Sequence, residues 1–197
     1  IPRWGFVLSL AATILMMAAA SAPSLFYPQI AEQLGLVPVA TTLVFAVYTF
    51  TLLAALLYLG PLSDHIGRRP VVTAGSLALA LSLAMFWFAD SLATLLVARA
   101  LQGLAAGLLI PALSAMMIDF EPPSHPNIAA LWNTIGPMIG LGTGALGAAL
   151  LLDLTPEPTA AVFGPLVLAF LTVAATVWST PELVPKTRIR RGDLRPR

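Results

Sequence analysis

Three stretches of this sequence carry residue types that could do more than fill space. The first is Gly60-Pro61-Leu62-Ser63-Asp64-His65-Ile66-Gly67-Arg68-Arg69-Pro70. Asp64 and Arg68 are four apart, so on a helical turn they share a face and can pair. Gly60 and Gly67 allow tight bends and the close approach of a neighbouring helix. From residue types alone two readings stand: a tight turn held by an ion pair, or an ordinary basic loop at a membrane surface.

The second stretch is Arg99-Ala100-Leu101-Gln102-Gly103-Leu104-Ala105-Ala106-Gly107. Arg99 and Gln102 are polar groups inside a long apolar run, and Gly103 and Gly107 make a G-x-x-x-G face for close helix packing. The third, Gly136 to Gly147, sets Gly136, Gly140 and Gly144 on one small-residue stripe. Pro137 cannot donate a backbone hydrogen bond, which makes it a candidate kink or hinge. Thr13, Ser21, Tyr48, Asn133 and Thr134 are further polar residues in apolar runs. Hydroxyls there commonly bond back to their own helix. The amides of Gln102 and Asn133 are costlier to leave unpaired.

Other chemistries find no support. Cysteine is absent and the histidines are His65 and His125, which leaves no disulfide framework and no metal or cofactor site. There is no G-x-S-x-G, no H-E-x-x-H and no pair of carboxylates within an apolar run, so no enzyme is expected. Gly142-Thr143-Gly144-Ala145-Leu146-Gly147 fits a dinucleotide fingerprint as a string but follows no strand. Nothing points to nucleic acid.

The elements that must position these residues are set by composition. Hydrophobic residues make up 58% of 197 positions and charged residues 10%, against about 25% charged in globular domains. Lipid is the natural solvent for such a chain. About 20 apolar residues cross a hydrocarbon core of about 30 Å as a helix. Six segments qualify: 4–27, 41–59, 71–89, 92–118, 127–152 and 159–177. The first is too long for the apolar part of a signal peptide, roughly 7–15 residues. The runs do not alternate in polarity as barrel strands do, and helices satisfy their own backbone in lipid. The expectation is an all-α, six-helix membrane bundle.

Orientation follows from charge. Arg3, Arg68 and Arg69 fall on one side together with Lys186, Arg188, Arg190, Arg191, Arg195 and Arg197. The opposite loops hold Glu32, Asp90, Asp153 and Glu157. The positive-inside rule places both ends in the cytoplasm. Residues 1–180 are expected to form the membrane domain. Residues 181–197, basic and without apolar periodicity, form a cytoplasmic loop facing anionic headgroups. Trp4, Trp87 and Trp178 stand near span ends, where interfacial anchors occur. Pro23 and Pro111 lie near the far ends of spans 1 and 4, a faint echo of a three-plus-three inverted repeat. The chain opens at Ile1, which reads as a piece of a longer protein.

The loop after span 2 resembles the signature G-x-L-x-D-x-x-G-R-[RK] of the major facilitator superfamily. Gly60, Leu62, Asp64, Gly67, Arg68 and Arg69 match it, between the spans where that family carries it. The resemblance implies the amino-terminal half of a twelve-or-more-helix transporter. It also implies a gating role for the loop, with Asp119 or Glu121 as the partner of the arginines. Arg99, Gln102 and Gly103 match the family's R-x-x-Q-G segment, linked to proton coupling, so Arg99 is expected to line the central cavity or tune a proton site. The segment from Gly136 resembles the antiporter motif, with G-P-x-x-G matched by Gly136, Pro137 and Gly140. Trp132 and Leu141 depart from it at positions where that motif has glycine.

The resemblance covers nearly the whole chain and is nearest to bacterial drug:proton antiporters, implying export of small amphipathic compounds from the inner membrane. The partners implied are the bilayer, a small-molecule substrate, protons and a carboxy-terminal six-helix half. A uniporter or symporter of a sugar or metabolite on the same fold is the alternative, since the loop after span 2 is common to the superfamily. No Asp or Glu lies deep in any predicted span.

Overall fold

The computed structural model describes residues 2–35 and 37–181, and in them every regular element is helical. The tail from 182 onward, predicted as a cytoplasmic loop, lies outside the described residues. Six helices are long and apolar enough to span a bilayer. They are α1 (Pro2–Ser21), α3 (Pro38–Leu59), α5 (Arg68–Trp87), α6 (Leu92–Asp119), α7 (Ile128–Leu154) and α8 (Pro158–Thr176). Two short helices, α2 (Tyr27–Leu34) and α4 (Leu62–Ile66), lie between spans.

Several boundaries depart from the sequence expectation, each for a local reason. Span 1 was expected to run on to Tyr27. Instead α1 ends at Ser21, a 3-10 turn covers Ala22–Leu25, and α2 follows. Pro23 is the cause, because it has no N–H to continue the helical ladder. Helix α2 then closes on Gly35 in the left-handed conformation (φ 60°), as helix ends commonly do. Spans 2 and 3 were expected to begin after their prolines. They begin at or before them, since proline is well accommodated in a first turn. Arg68 and Arg69 therefore ride on α5 rather than in a loop.

Ordinary capping chemistry sets two other ends. Ser91 Oγ accepts the Thr94 amide at 3.2 Å to start α6. Glu121 Oε1 accepts the Ala129 amide at 3.1 Å at the start of α7, where Asn127 turns the chain with φ 69°.

The main helix pairings are α3 with α6, α5 with α6, α1 with α7, α5 with α8, and α1 with α6. Exchanging the first three spans for the last three (α1 with α6, α3 with α7, α5 with α8) maps all of these except α5–α6 onto themselves or one another, the pattern of a three-plus-three repeat. The close α5–α6 contact has a lighter counterpart in α1–α8, so the triplets are related but not alike. Helix α6 is the most enclosed, with 56% of its apolar stretch buried, against 11% for α3 and 17% for α7. Those two present broad apolar faces outward, through residues such as Phe50, Leu57, Met138 and Leu146.

Lipid tails are as apolar as leucine, so helices associate through close packing rather than through exclusion of water. The two predicted small-residue stripes serve this. A Cβ on Gly103 would sit 2.1 Å from Thr51 Oγ1 and 2.5 Å from the Tyr48 carbonyl, and one on Gly107 would sit 2.3 Å from Ala55 Cβ. On α7, a Cβ at Gly140 or Gly144 would come within 2.4 Å of the Ile14 or Ala18 carbonyl of α1. Gly136 is looser, its nearest contact being Leu10 at 3.3 Å. Helix α7 runs through Pro137 without a break in assignment. Gly142 and Gly147 face open space.

That contrast is testable by thermal unfolding of purified protein in detergent. Gly103→Leu is expected to cost about 1–3 kcal/mol through overpacking. Gly142→Ala should be neutral or stabilise by up to about 1 kcal/mol, because glycine is a poor helix interior residue. Equal losses in the two variants would refute the stripe as the basis of the α3–α6 contact.

Candidate functional site

The structure gathers polar chemistry at two levels of the bundle, both anchored on α6. At one level Arg99 is 2% exposed and Gln102 1%. Arg99 Nε donates to the Tyr27 hydroxyl and Nη1 donates to Gln102 Oε1. The guanidinium carbon lies 5.1 Å from the ring centre of Tyr27, 5.6 Å from Phe45, 5.5 Å from Tyr48 and 5.1 Å from Phe86. No carboxylate among the described residues pairs with Arg99. A cation at mid-bilayer costs about 2.5–3.5 kcal/mol on insertion scales. Cation–π contacts return about 0.5–2 kcal/mol each, so four rings are of the size needed to hold the charge without a counter-ion.

Gln102 has a second duty. Pro23 cannot donate to the carbonyl four residues back, that of Ala19. Gln102 Nε2 donates to that carbonyl at 2.8 Å. The span 1 break and the polar pair of span 4 are therefore one arrangement. The proline orphans a carbonyl, the glutamine satisfies it, and the glutamine's own oxygen orients the arginine. Ser82 Oγ adds a bond to the Ala98 carbonyl at 2.7 Å, fastening α5 to the same turn of α6.

The second level is the end of α6. Arg68 Nε donates to Asp119 Oδ2 at 3.1 Å, and its Nη1 donates to Ser63 Oγ at 2.9 Å and to Asp64 Oδ1. Asp64 and Arg68 do not share a helix face, because Gly67 interrupts with φ 100° between α4 and α5. The left-handed turn brings Arg68 back over α4, a geometry that favours glycine. Gly60 closes α3 in ordinary helical geometry. Leu62 packs half-buried against the core, and Arg69 sits beside Arg68 on the first turn of α5.

Of the expected partners for the arginines, Asp119 meets Arg68, whereas Glu121 is turned to the Ala129 amide. Asn133 is half-buried on α7. Its Oδ1 has no hydrogen-bond partner among the described residues, and no bond links it to Arg99 or Gln102. Thr13, Ser21 and Thr134 bond back to the carbonyls of Ser9, Ala18 and Ala130. Sequence reasoning missed the ring cage. One signal was present: Phe45 and Tyr48 are three apart and so share a face of span 2.

Six packed spanning helices with a carboxylate–arginine cluster at one end and a caged arginine within define a polytopic membrane protein. Residues 8–196 match the profile of the Major Facilitator Superfamily, and the chain belongs to that family of membrane transporters. It is 30% identical over 148 residues to the puromycin resistance protein pur8 of Streptomyces alboniger, covering 73% of this chain and 29% of that protein. It is 32% identical over 212 residues to the multidrug efflux pump LfrA of Mycolicibacterium smegmatis, covering 89% and 41%. To the cephamycin export protein CmcT of Amycolatopsis lactamdurans it is 28% identical over 186 residues, covering 93% and 38%. The chain thus spans between 29% and 41% of the length of these relatives.

Two measurements check the geometry. Tyr27→Phe keeps the ring but removes the acceptor for Arg99 Nε. It should lower stability by about 1.5–3 kcal/mol, the range for hydrogen bonds to charged groups; an unchanged midpoint would refute the bond. A double-mutant cycle on Arg68 and Asp119 should give a coupling below about 1 kcal/mol, because both side chains reach solvent. A coupling of several kcal/mol would mean that the pair is far better shielded than its accessibility implies.

Proposed function

We propose that this chain is the amino-terminal half of a transporter working by alternating access, exporting small amphipathic compounds in exchange for protons. Both ends of the segment are taken to lie in the cytoplasm of a bacterial inner membrane, with six further spans completing the fold. The observation that carries the reading is the caged Arg99. A buried cation held by π faces, with no carboxylate to neutralise it among the described residues, is an electrostatic source rather than a structural ion pair. It acts on any proton-carrying group that approaches α6. The named functions of pur8, LfrA and CmcT, which are puromycin resistance, multidrug efflux and cephamycin export, support the substrate class.

In this reading Arg68, held by Asp64 and Asp119, is the inner latch. It ties the segment between spans 2 and 3 to the end of span 4, and the tie must loosen as the bundle changes state. The G-x-x-x-G contact between α3 and α6 and the Gly140–Gly144 stripe between α7 and α1 give each pair a rigid, close-packed unit. Motion then falls between units rather than within them. The outward apolar faces of α3 and α7 support a second helical half as their cover.

A uniporter or symporter remains a distinct second reading, favoured by one observation. The acids of the described region stand at or beyond span ends, including Asp64, Asp90, Asp119 and Asp153, so among the described residues no carboxylate stands at the level of Arg99. Inverted vesicles containing the full-length protein and a lumenal pH dye separate the two. Proton release on adding lipophilic cations or antibiotics is expected, abolished in Arg99→Ala and weakened in Asp64→Asn. Equilibration of labelled sugars or metabolites without proton release would replace antiport by the second reading.

A further inference from the structure

At the end of the bundle that carries Arg68, the first turn of α1 and the segment joining α6 to α7 enclose a pocket. It is lined by Arg3, Phe6, Val7, Pro122, Ser124 and His125. Its build follows from the sequence. Gly5 lets the Phe120 ring press onto α1, since a Cβ there would stand 2.4 Å from the ring. The joining segment contains Pro122, Pro123 and Pro126 and turns into α7 at Asn127, so its backbone has little freedom. Both walls are thus held in place.

The lining divides by chemistry. Arg3 and His125 offer N–H donors, and Phe6, Val7 and Pro122 offer apolar surface. The acids nearest in sequence are engaged elsewhere: Glu121 accepts the Ala129 amide and Asp119 accepts from Arg68. No carboxylate among the described residues pairs with Arg3. His125 Nδ1 lies 2.9 Å from Ser124 Oγ, which leaves Nε2 as the nitrogen for another partner. The position matters equally. Pro122, Ser124 and His125 lie between the end of one spanning helix and the start of the next, which puts the pocket at the level where the hydrocarbon core meets the headgroup layer, and Val7 is exposed one turn along α1 from Arg3.

We propose that this pocket binds an anionic phospholipid, its phosphate between Arg3 and His125 and the start of its acyl chains along Phe6 and Val7. A free anion would gain nothing from the apolar wall, and an apolar ligand nothing from the two donors. A lipid with a net negative headgroup uses both at this depth. Basic side chains near a membrane surface attract such lipids, each changing affinity by about fivefold. Occupancy also bears on the rest of the structure. The first residue of the joining segment to line the pocket, Pro122, lies three residues after Asp119, so occupancy bears on the segment that leads away from the partner of Arg68. This follows from the pocket alone and does not depend on the direction or coupling of transport.

The test is native mass spectrometry of the full-length protein, delipidated in a neutral detergent and then titrated with phosphatidylglycerol or phosphatidylethanolamine. Wild type is expected to retain one more phosphatidylglycerol than phosphatidylethanolamine. Arg3→Gln should weaken that extra binding about fivefold, and Arg3→Gln with His125→Gln should remove it. Val7→Ser should weaken it while leaving unfolding temperature unchanged. Equal retention of the two lipids, or unchanged phosphatidylglycerol binding in the double variant, would overturn the proposal. Displacement of the lipid by inorganic phosphate at constant ionic strength would also overturn it, assigning the pocket to a free anion.

Discussion

Burying one guanidinium in the thickness of a bilayer dictates much of this architecture. Arg99 cannot reach water and has no carboxylate beside it among the described residues. It must therefore be solvated by the protein itself. That requirement draws Tyr27 from the start of α2, Phe45 and Tyr48 from α3, and Phe86 from α5 around one turn of α6. The helix that carries the charge becomes the most enclosed helix in the bundle. Gln102 closes the arrangement by joining the arginine to the carbonyl that Pro23 leaves unpaired.

Close packing completes what the charge begins. Without an exclusion of water to press helices together, backbone approach has to be won residue by residue. Gly103 and Gly107 follow Arg99 on α6 and bring α3 to near contact just beyond Tyr48. The ring that faces the guanidinium is therefore positioned by glycines one turn further on. On the other side of the bundle, Gly140 and Gly144 do the same for α7 on α1. The glycines sit on span 4 in one pair and on span 5 in the other, so the repeat conserves the pairing while exchanging which member supplies the small residues.

The six spans were legible because lipid demands a length and an apolar content that no soluble helix shares, and the glycine stripes because their spacing survives in the string. The boundaries were less so. Pro38 and Pro70 look like breaks in a sequence, yet proline in a first turn opens a helix. The two arginines consequently moved from an expected loop onto α5. Helix α2 left almost no trace, since eight residues containing Pro28 and Glu32 do not separate from a connecting loop by periodicity. The rings around Arg99 could not be picked out individually, because Phe45 or Phe86 in an apolar run looks the same whether it faces lipid or a cation. The partner of Gln102 was in principle readable. A proline at 23 orphans the carbonyl at 19 by the helical rule, but spans 1 and 4 have to be known as neighbours before the pairing can be drawn.

Helix α6 also connects the two levels mechanically. Arg99 and Asp119 are twenty residues apart on it, about 30 Å at helical rise. A rigid rotation of this helix would shift the ring cage at one end and the Arg68–Asp119 ion pair at the other together. One turn between them is weaker than the rest. Pro111 withholds its donor from the Gly107 carbonyl and crowds it, at the residue where α6 lies against Ala55 of α3. Bending at that turn would change the angle between the two levels, but only if α3 follows, because Gly107 leaves no slack. The cage, the glycine contact and the Arg68–Asp119 pair are thus constraints on one helix, and α6 cannot relax any of them without loading the others.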